Sequence, residues 1–136
     1  MPFLSSCPLG RAALAAAAAG LVTFALFTQA SAAVVDPPHG DLIAGQKLYQ
    51  SCMGCHSLDE NDVGPKHRGV VGRAAASVPG YAYSSALRNA KIVWSPAMLD
   101  RWLTNPQKLV PGAKMYFSVA NPKSRADIIA YLAQQH

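Results

Sequence analysis

The sequence predicts a small all-α unit in which the first and last helices pack together and long loops enclose a ligand. Three observations carry this. A length of 136 residues makes one domain with a modest core, to which a bound group would contribute materially. Segments beginning at Asp41, Ser95 and Asn121 place apolar residues at helical spacing behind capping residues. Between the first two, residues 57–80 hold little periodicity and many Gly and Pro punctuators, which read as wrapping loop.

The N-terminal stretch reads as a targeting segment. Arg11 precedes an apolar run from Ala12 to Phe27, and Ala30-Ser31-Ala32 follows as an A-x-A signal. Residues 1–32 are therefore expected to be a signal peptide cleaved after Ala32, with the periplasm as destination. The run is shorter than a usual transmembrane helix, and an uncleaved membrane anchor is the alternative. Cys7 precedes the run and leaves with the leader. Residues 33–39, AVVDPPH, form a lead-in, and residues 40–136 form the domain.

Within that domain Asp41 is placed to cap a first helix, where Leu42, Gly45, Tyr49 and Cys52 recur near helical spacing. Gly costs a helix interior about 1 kcal/mol against Ala, so a close neighbour at Gly45 is the expected compensation. A short helix is expected over 84–90. In SPAMLDRWLTNP, Ser95 caps, Pro96 fits the first turn and Pro106 stops the run, with Met98, Leu99, Trp102 and Leu103 on one face. QKLVPGAKMYF then reads as a Pro/Gly-bent connection. Asn121 and Pro122 start the last helix, whose apolar stripe is Ile128, Ile129 and Leu132, with Tyr131 beside it.

The 12 Lys and Arg against 7 Asp and Glu give a net charge of +5. Losing Arg11 with the leader leaves 11 basic side chains against 7 acidic, or +4. The excess modestly favours an acidic partner surface. No dense basic block or nucleic-acid motif is present, so nucleic acid is not an expected partner. Export would also leave Cys52 and Cys55 as the only cysteines, enough for a local disulfide but not for a disulfide framework.

Those two cysteines lie in CMGCH, which satisfies the pattern for c-type haem attachment. Two sulfurs can join the porphyrin's vinyl-derived carbons as thioethers while His56 offers an imidazole nitrogen to iron. Two readings compete. A thioredoxin-like dithiol would normally sit near a βα unit, for which there is no pattern. A zinc site would need four ligands, and beyond His67 no second ligand pair has suitable spacing.

Met115, in LVPGAKMYF, is the candidate for the iron's other face, because a bent loop can turn a soft thioether inward. Ordinary core packing is the competing reading. His39, His67 and His136 are rival ligands, of which His39 and His136 are expected in solvent. His/Met coordination would favour ferrous iron and leave no open position, which suits outer-sphere transfer of single electrons.

Residues 40–133 resemble a class I cytochrome c, similar to the bacterial soluble c2-like and mitochondrial types. The resemblance rests on GQKLYQSCMGCH, Gly64-Pro65, Trp94, Asn105-Pro106, VPGAKM ending at Met115, and RADIIAYL from Arg125 to Leu132. It implies one covalent haem c, terminal helices crossing near Gly45 and Tyr131, and Tyr49 in an aromatic packing position. It further implies that the Pro65 carbonyl receives the His56 ring N–H, which would orient the imidazole. Trp94 matches a position that hydrogen-bonds a haem propionate, and Arg73 and Tyr83 match positions near the propionates. Asn89 matches a polar pocket position. Without the resemblance, Gly64-Pro65 reads equally as a surface turn, Trp94 as core and Arg73 as exposed.

Two departures stand out. Trp102 occupies the place of a Tyr whose hydroxyl approaches the axial Met, and an indole does not reproduce that geometry automatically. His67 falls where an apolar side chain is common and is expected to turn outward or ride on a shifted loop.

The function implied is that of a soluble, exported, monomeric electron carrier rather than an enzyme. Lys47, Lys66, Lys108 and Lys114 would form a positive rim for brief docking to redox partners: a cytochrome bc1-type complex, an oxidase, a reaction centre or a peroxidase. The alternative is a haem enzyme or sensor in which Met115 dissociates to admit peroxide or a small gaseous ligand. Trp102 and His67 favour that alternative, but no acid/base constellation for peroxide accompanies them. A non-haem thiol oxidoreductase at Cys52 and Cys55 is the third reading.

Overall fold

Asp41 stands in extended backbone and its carboxylate accepts from the N–H groups of Ile43 and Ala44, both at 2.8 Å. This cap satisfies donors that a helix start leaves free, and α1 follows over Leu42–Tyr49. The computed structural model describes residues 39–136. The expected signal peptide over 1–32, and the lead-in as far as Pro38, lie outside the described residues.

Four further helices follow the same logic. Ser84 caps α2, Ser85–Asn89, by accepting from Leu87 N–H. Ser95 caps α3, Pro96–Thr104, and Pro96 occupies the first turn, where its missing N–H costs nothing. Asn121 caps α5, Pro122–Ala133, in the same way. Between α3 and α5 lies α4, Pro106–Leu109, which the sequence reading had folded into a bent connection. Pro106 does stop α3, but it also begins α4, because the Asn105 side chain accepts from Lys108 N–H at 2.9 Å. Among the described residues there is no strand, only an isolated antiparallel bridge between Ala74 and Val93. No described helix is long and apolar enough to cross a membrane.

The organising contact is the crossing of α1 over α5. A Cβ at Gly45 would collide with the Asp127 carbonyl and come within 2.9 Å of the Tyr131 side chain, so glycine is what lets the two backbones approach. One helical turn on, the rings of Tyr49 and Tyr131 meet at 5.2 Å. The Asp127 carboxylate accepts from the Asp41 backbone N–H at 2.6 Å and pairs with Lys123, one turn before it on α5. Asp127 is thus buried yet satisfied, a feature the sequence stripe did not reveal.

Against this crossing packs α3, tied to α5 by Arg125, whose Nε donates to Asp100 at 2.6 Å. Leu99, Trp102 and Leu103 of α3 join Ile128, Ile129 and Leu132 of α5 in one buried cluster, as the stripes predict. Each such side chain contributes roughly 1.5–3 kcal/mol relative to exposure. Leu42 is the exception on α1: it remains about half exposed, and the inward face there is carried by Gly45 and Tyr49. The fold is all-α, with loops wrapped around a central cleft.

Candidate functional site

Beyond α1 the chain closes a tight turn. Cys52 N–H donates to the Tyr49 carbonyl at 2.8 Å, and the Cys52 carbonyl in turn accepts from Cys55 N–H at 3.1 Å and His56 N–H at 2.9 Å. This folding-back brings both sulfurs and the imidazole to the wall of one cavity of about 280 Å³. Cys52 is partly buried, which pushes its thiol pKa up, and Cys55 is exposed. The cavity also receives Pro65, Arg73, Tyr83, Trp94, Trp102 and Met115.

His56 is held in a defined protonation state. Its Nδ1 lies 2.7 Å from the Pro65 carbonyl, which can only accept, so Nδ1 carries the proton and Nε2 keeps its lone pair. The ring rests against Gly64, where any Cβ would overlap it. Burial holds the His56 pKa down, opposed by the Pro65 bond and by Asp62. A neutral imidazole with a free nitrogen is the form a metal requires.

On the loop after α4, Met115 is partly buried and its sulfur accepts from Trp102 Nε1–H at 3.2 Å. The indole therefore reaches the thioether despite its bulk. A thioether has a second lone pair, so the sulfur keeps donor capacity. Trp94, 7% exposed, packs its ring against Trp102 at 5.2 Å. Arg73 donates to the carbonyls of Arg68 and Lys66, both at 2.8 Å, which anchors its charge beside the cavity, and burial lowers its pKa. Tyr83 meets Tyr81 edge-on at 4.7 Å, and burial raises its pKa.

Two sequence expectations fail here. His67 does not turn outward: it lines the cavity, stacks on His56 at 3.9 Å and shares a 3.1 Å hydrogen bond with the Tyr49 hydroxyl through Nδ1. Tyr49 offers it a buried polar partner there. Burial, then His56 and Arg73, hold the His67 pKa down to about 3, while Tyr49 is pushed up to about 12, chiefly by burial. Asn89 does not enter the cavity either; it is exposed and borders a separate groove with Ala86 and Ala90. Leu87 faces the cavity, and two residues further along a helix is about 200° around.

Of the four lysines expected at a rim, Lys114 lines the cavity, with its ammonium donating to the Ala82 carbonyl at 2.5 Å. Lys47, Lys66 and Lys108 do not line it. His39 and His136 are exposed, as expected. Three lining residues that the sequence did not single out are Val63, Tyr116 and Phe117, all substantially exposed and forming an apolar lip. A further omission is Gln107 on α4, whose side chain bonds the backbone leading to Met115. No pattern marks it, since its role depends on a loop folding back.

The residues suit a flat, covalently attached metal macrocycle. Two cysteine sulfurs, a neutral imidazole and a thioether share a largely apolar cleft, and the missing Cβ at Gly64 makes room for the imidazole. Cys52 and Cys55 could hold such a group, and His56 and Met115 could donate to its iron.

Comparison with known proteins identifies relatives of the chain. Residues 42–136 match the family model described as Cytochrome c. The chain is 50% identical over 97 residues to a cytochrome c of Euglena viridis, covering 68% of this chain and 95% of the relative. It is 44% identical over 101 residues to a cytochrome c2 of Rhodomicrobium vannielii, covering 71% and 81% respectively. Among solved structures, cytochrome cH from Methylobacterium extorquens aligns with a TM-score of 0.67 and 45% identity, covering 69% of this chain and 98% of that one.

Proposed function

The chain belongs to the cytochrome c family of electron-transfer proteins, which hold one covalently attached haem c, and we propose that Cys52 and Cys55 form its thioethers while His56 and Met115 ligate its iron. When bound, haem c supplies a one-electron couple at its iron. Every other requirement falls to the polypeptide. Pro65 fixes the His56 proton on Nδ1, so that Nε2 is available. Trp102 orients the Met115 sulfur. Trp94, Arg73 and Tyr83 offer N–H, guanidinium and hydroxyl groups for the acidic propionates.

The single observation that carries this reading is the gathering of Cys52, Cys55, His56 and Met115 around one cavity, though they are dispersed over 64 residues of sequence. The Trp102 bond to sulfur works against departure of Met115, which favours a closed electron carrier over a peroxide- or gas-binding site. We further assign the protein to the periplasm as a soluble monomer, exported by the leader over 1–32. Its docking is brief and guided by Lys114 and the other exposed lysines toward acidic redox partners of the bc1-complex, oxidase, reaction-centre or peroxidase kind.

Oxidised and reduced spectra of the purified holoprotein test the ligand set. A low-spin spectrum with a Met-to-iron band, abolished in Met115→Ala, is expected. A high-spin resting spectrum would refute it. Thiol labelling with intact mass tests attachment: two thioethers leave neither Cys52 nor Cys55 free.

A further inference from the structure

We infer that Gln107 is a positioning residue for Met115, a main-chain latch that sets how often the thioether leaves the iron. Its side-chain nitrogen donates to the Ala113 carbonyl at 2.7 Å and the Met115 carbonyl at 2.8 Å, and its oxygen accepts from Gly112 N–H at 3.3 Å. A primary amide has two N–H bonds, and both are used. Reversing the amide would set its oxygen against two carbonyl oxygens, so the network fixes its orientation.

The latch is mounted on an anchored element. Asn105 caps α4, and Pro106, next to Gln107, is fully buried. The segment it grips packs Ala113 into the core but has few other hydrogen bonds. Ala113 N–H donates to the Val110 carbonyl at 3.1 Å, within the same loop, and the exposed Lys114 ammonium reaches Ala82. Gln107 thus joins Gly112, Ala113 and Met115 to the body of the protein through backbone groups, whereas Trp102 holds only the sulfur tip. Removing Gln107 frees the loop to swing while leaving the helix crossing intact, so the effect belongs to local opening rather than to global unfolding.

This inference rests on Met115 being an axial ligand. The test uses the ferric holoprotein with imidazole as an external ligand, which binds only when Met115 has left. Gln107→Ala removes all three bonds; Gln107→Glu keeps the acceptor and the length but points carboxylate oxygen at two carbonyls. Both variants are expected to bind imidazole about 5- to 30-fold more tightly than wild type, with faster amide exchange confined to residues 112–117 and little change in the urea midpoint. Wild-type imidazole affinity in both variants would overturn the latch, as would a gain that merely tracks lost global stability. Wild-type protein lacking the Met-to-iron band would overturn the ligand assignment and the latch together; a wild-type band with unchanged variants would overturn the latch alone.

Discussion

The indole N–H of Trp102 donates to the thioether sulfur of Met115 across 3.2 Å. A donor on that sulfur draws electron density away from the ligand, which in a His/Met centre favours the reduced metal. Trp102→Phe is therefore expected to lower the reduction potential and to weaken the Met-to-iron band. The lost packing should also cost about 0.5–3 kcal/mol of stability. Redox titration decides the matter; an unchanged potential would show the bond has no electronic effect.

At the helix crossing, Gly45→Ala sets two effects in opposition. Alanine is better than glycine in a helix interior by about 1 kcal/mol. Its Cβ meets the Asp127 carbonyl, however, and backbone on both sides cannot yield without separating α1 from α5. Overpacking of this kind costs about 1–3 kcal/mol or more, so a net loss is expected in urea denaturation. A gain in stability would mean the helices slide apart freely.

Asp127 makes the fold acid-sensitive in a defined window. Lys123 first, then the Asp41 backbone N–H, hold its pKa below the ordinary 3.8. The unfolded chain then binds more protons than the native one, so this stabilisation is whole above pH 3.8 and is lost as pH falls through the native value. Asp127→Asn keeps an acceptor for Asp41 but no charge. Its stability should vary less with pH than wild type below 3.8, measured by thermal unfolding across pH 2–6.

The Tyr49–His67 pair should behave as a unit. His67→Leu leaves the buried Tyr49 hydroxyl without its partner, at a cost of about 1–3 kcal/mol. Adding Tyr49→Phe removes the orphaned group and should recover much of that loss. Strict additivity in the double-mutant cycle would argue against the bond.

Charge reversal probes docking. Lys114 is the lysine at the cavity, so Lys114→Glu should slow electron transfer to an acidic partner severalfold at low salt. Raising the salt should narrow the gap, since screening acts on wild type more strongly. A rate difference indifferent to salt would indicate another cause.

Elements whose signals are local were legible in the sequence. Asp41, Ser95 and Asn121 cap the helices they were expected to cap, and CMGCH, Pro65 and Met115 meet at one cavity. Features that depend on distant neighbours were not. Asn105 ends one helix and begins another, so Pro106 looked only like a stop. His67 is polar and reads as a surface residue until Tyr49 is known to await it. Asp127 interrupts an apolar stripe, and only the Asp41 N–H across the crossing explains its burial. Asn89 was carried by resemblance alone, and the turn of α2 directs it elsewhere.

The partner that α1 needs lies 86 positions downstream, at Asp127. During synthesis that partner emerges late, so α1, the first helix among the described residues, lacks its α5 contact for most of the chain's production. Cys52 and Cys55, in the turn just beyond α1, are made well before that partner. Closing α1 on α5 can follow only once the last helix is available.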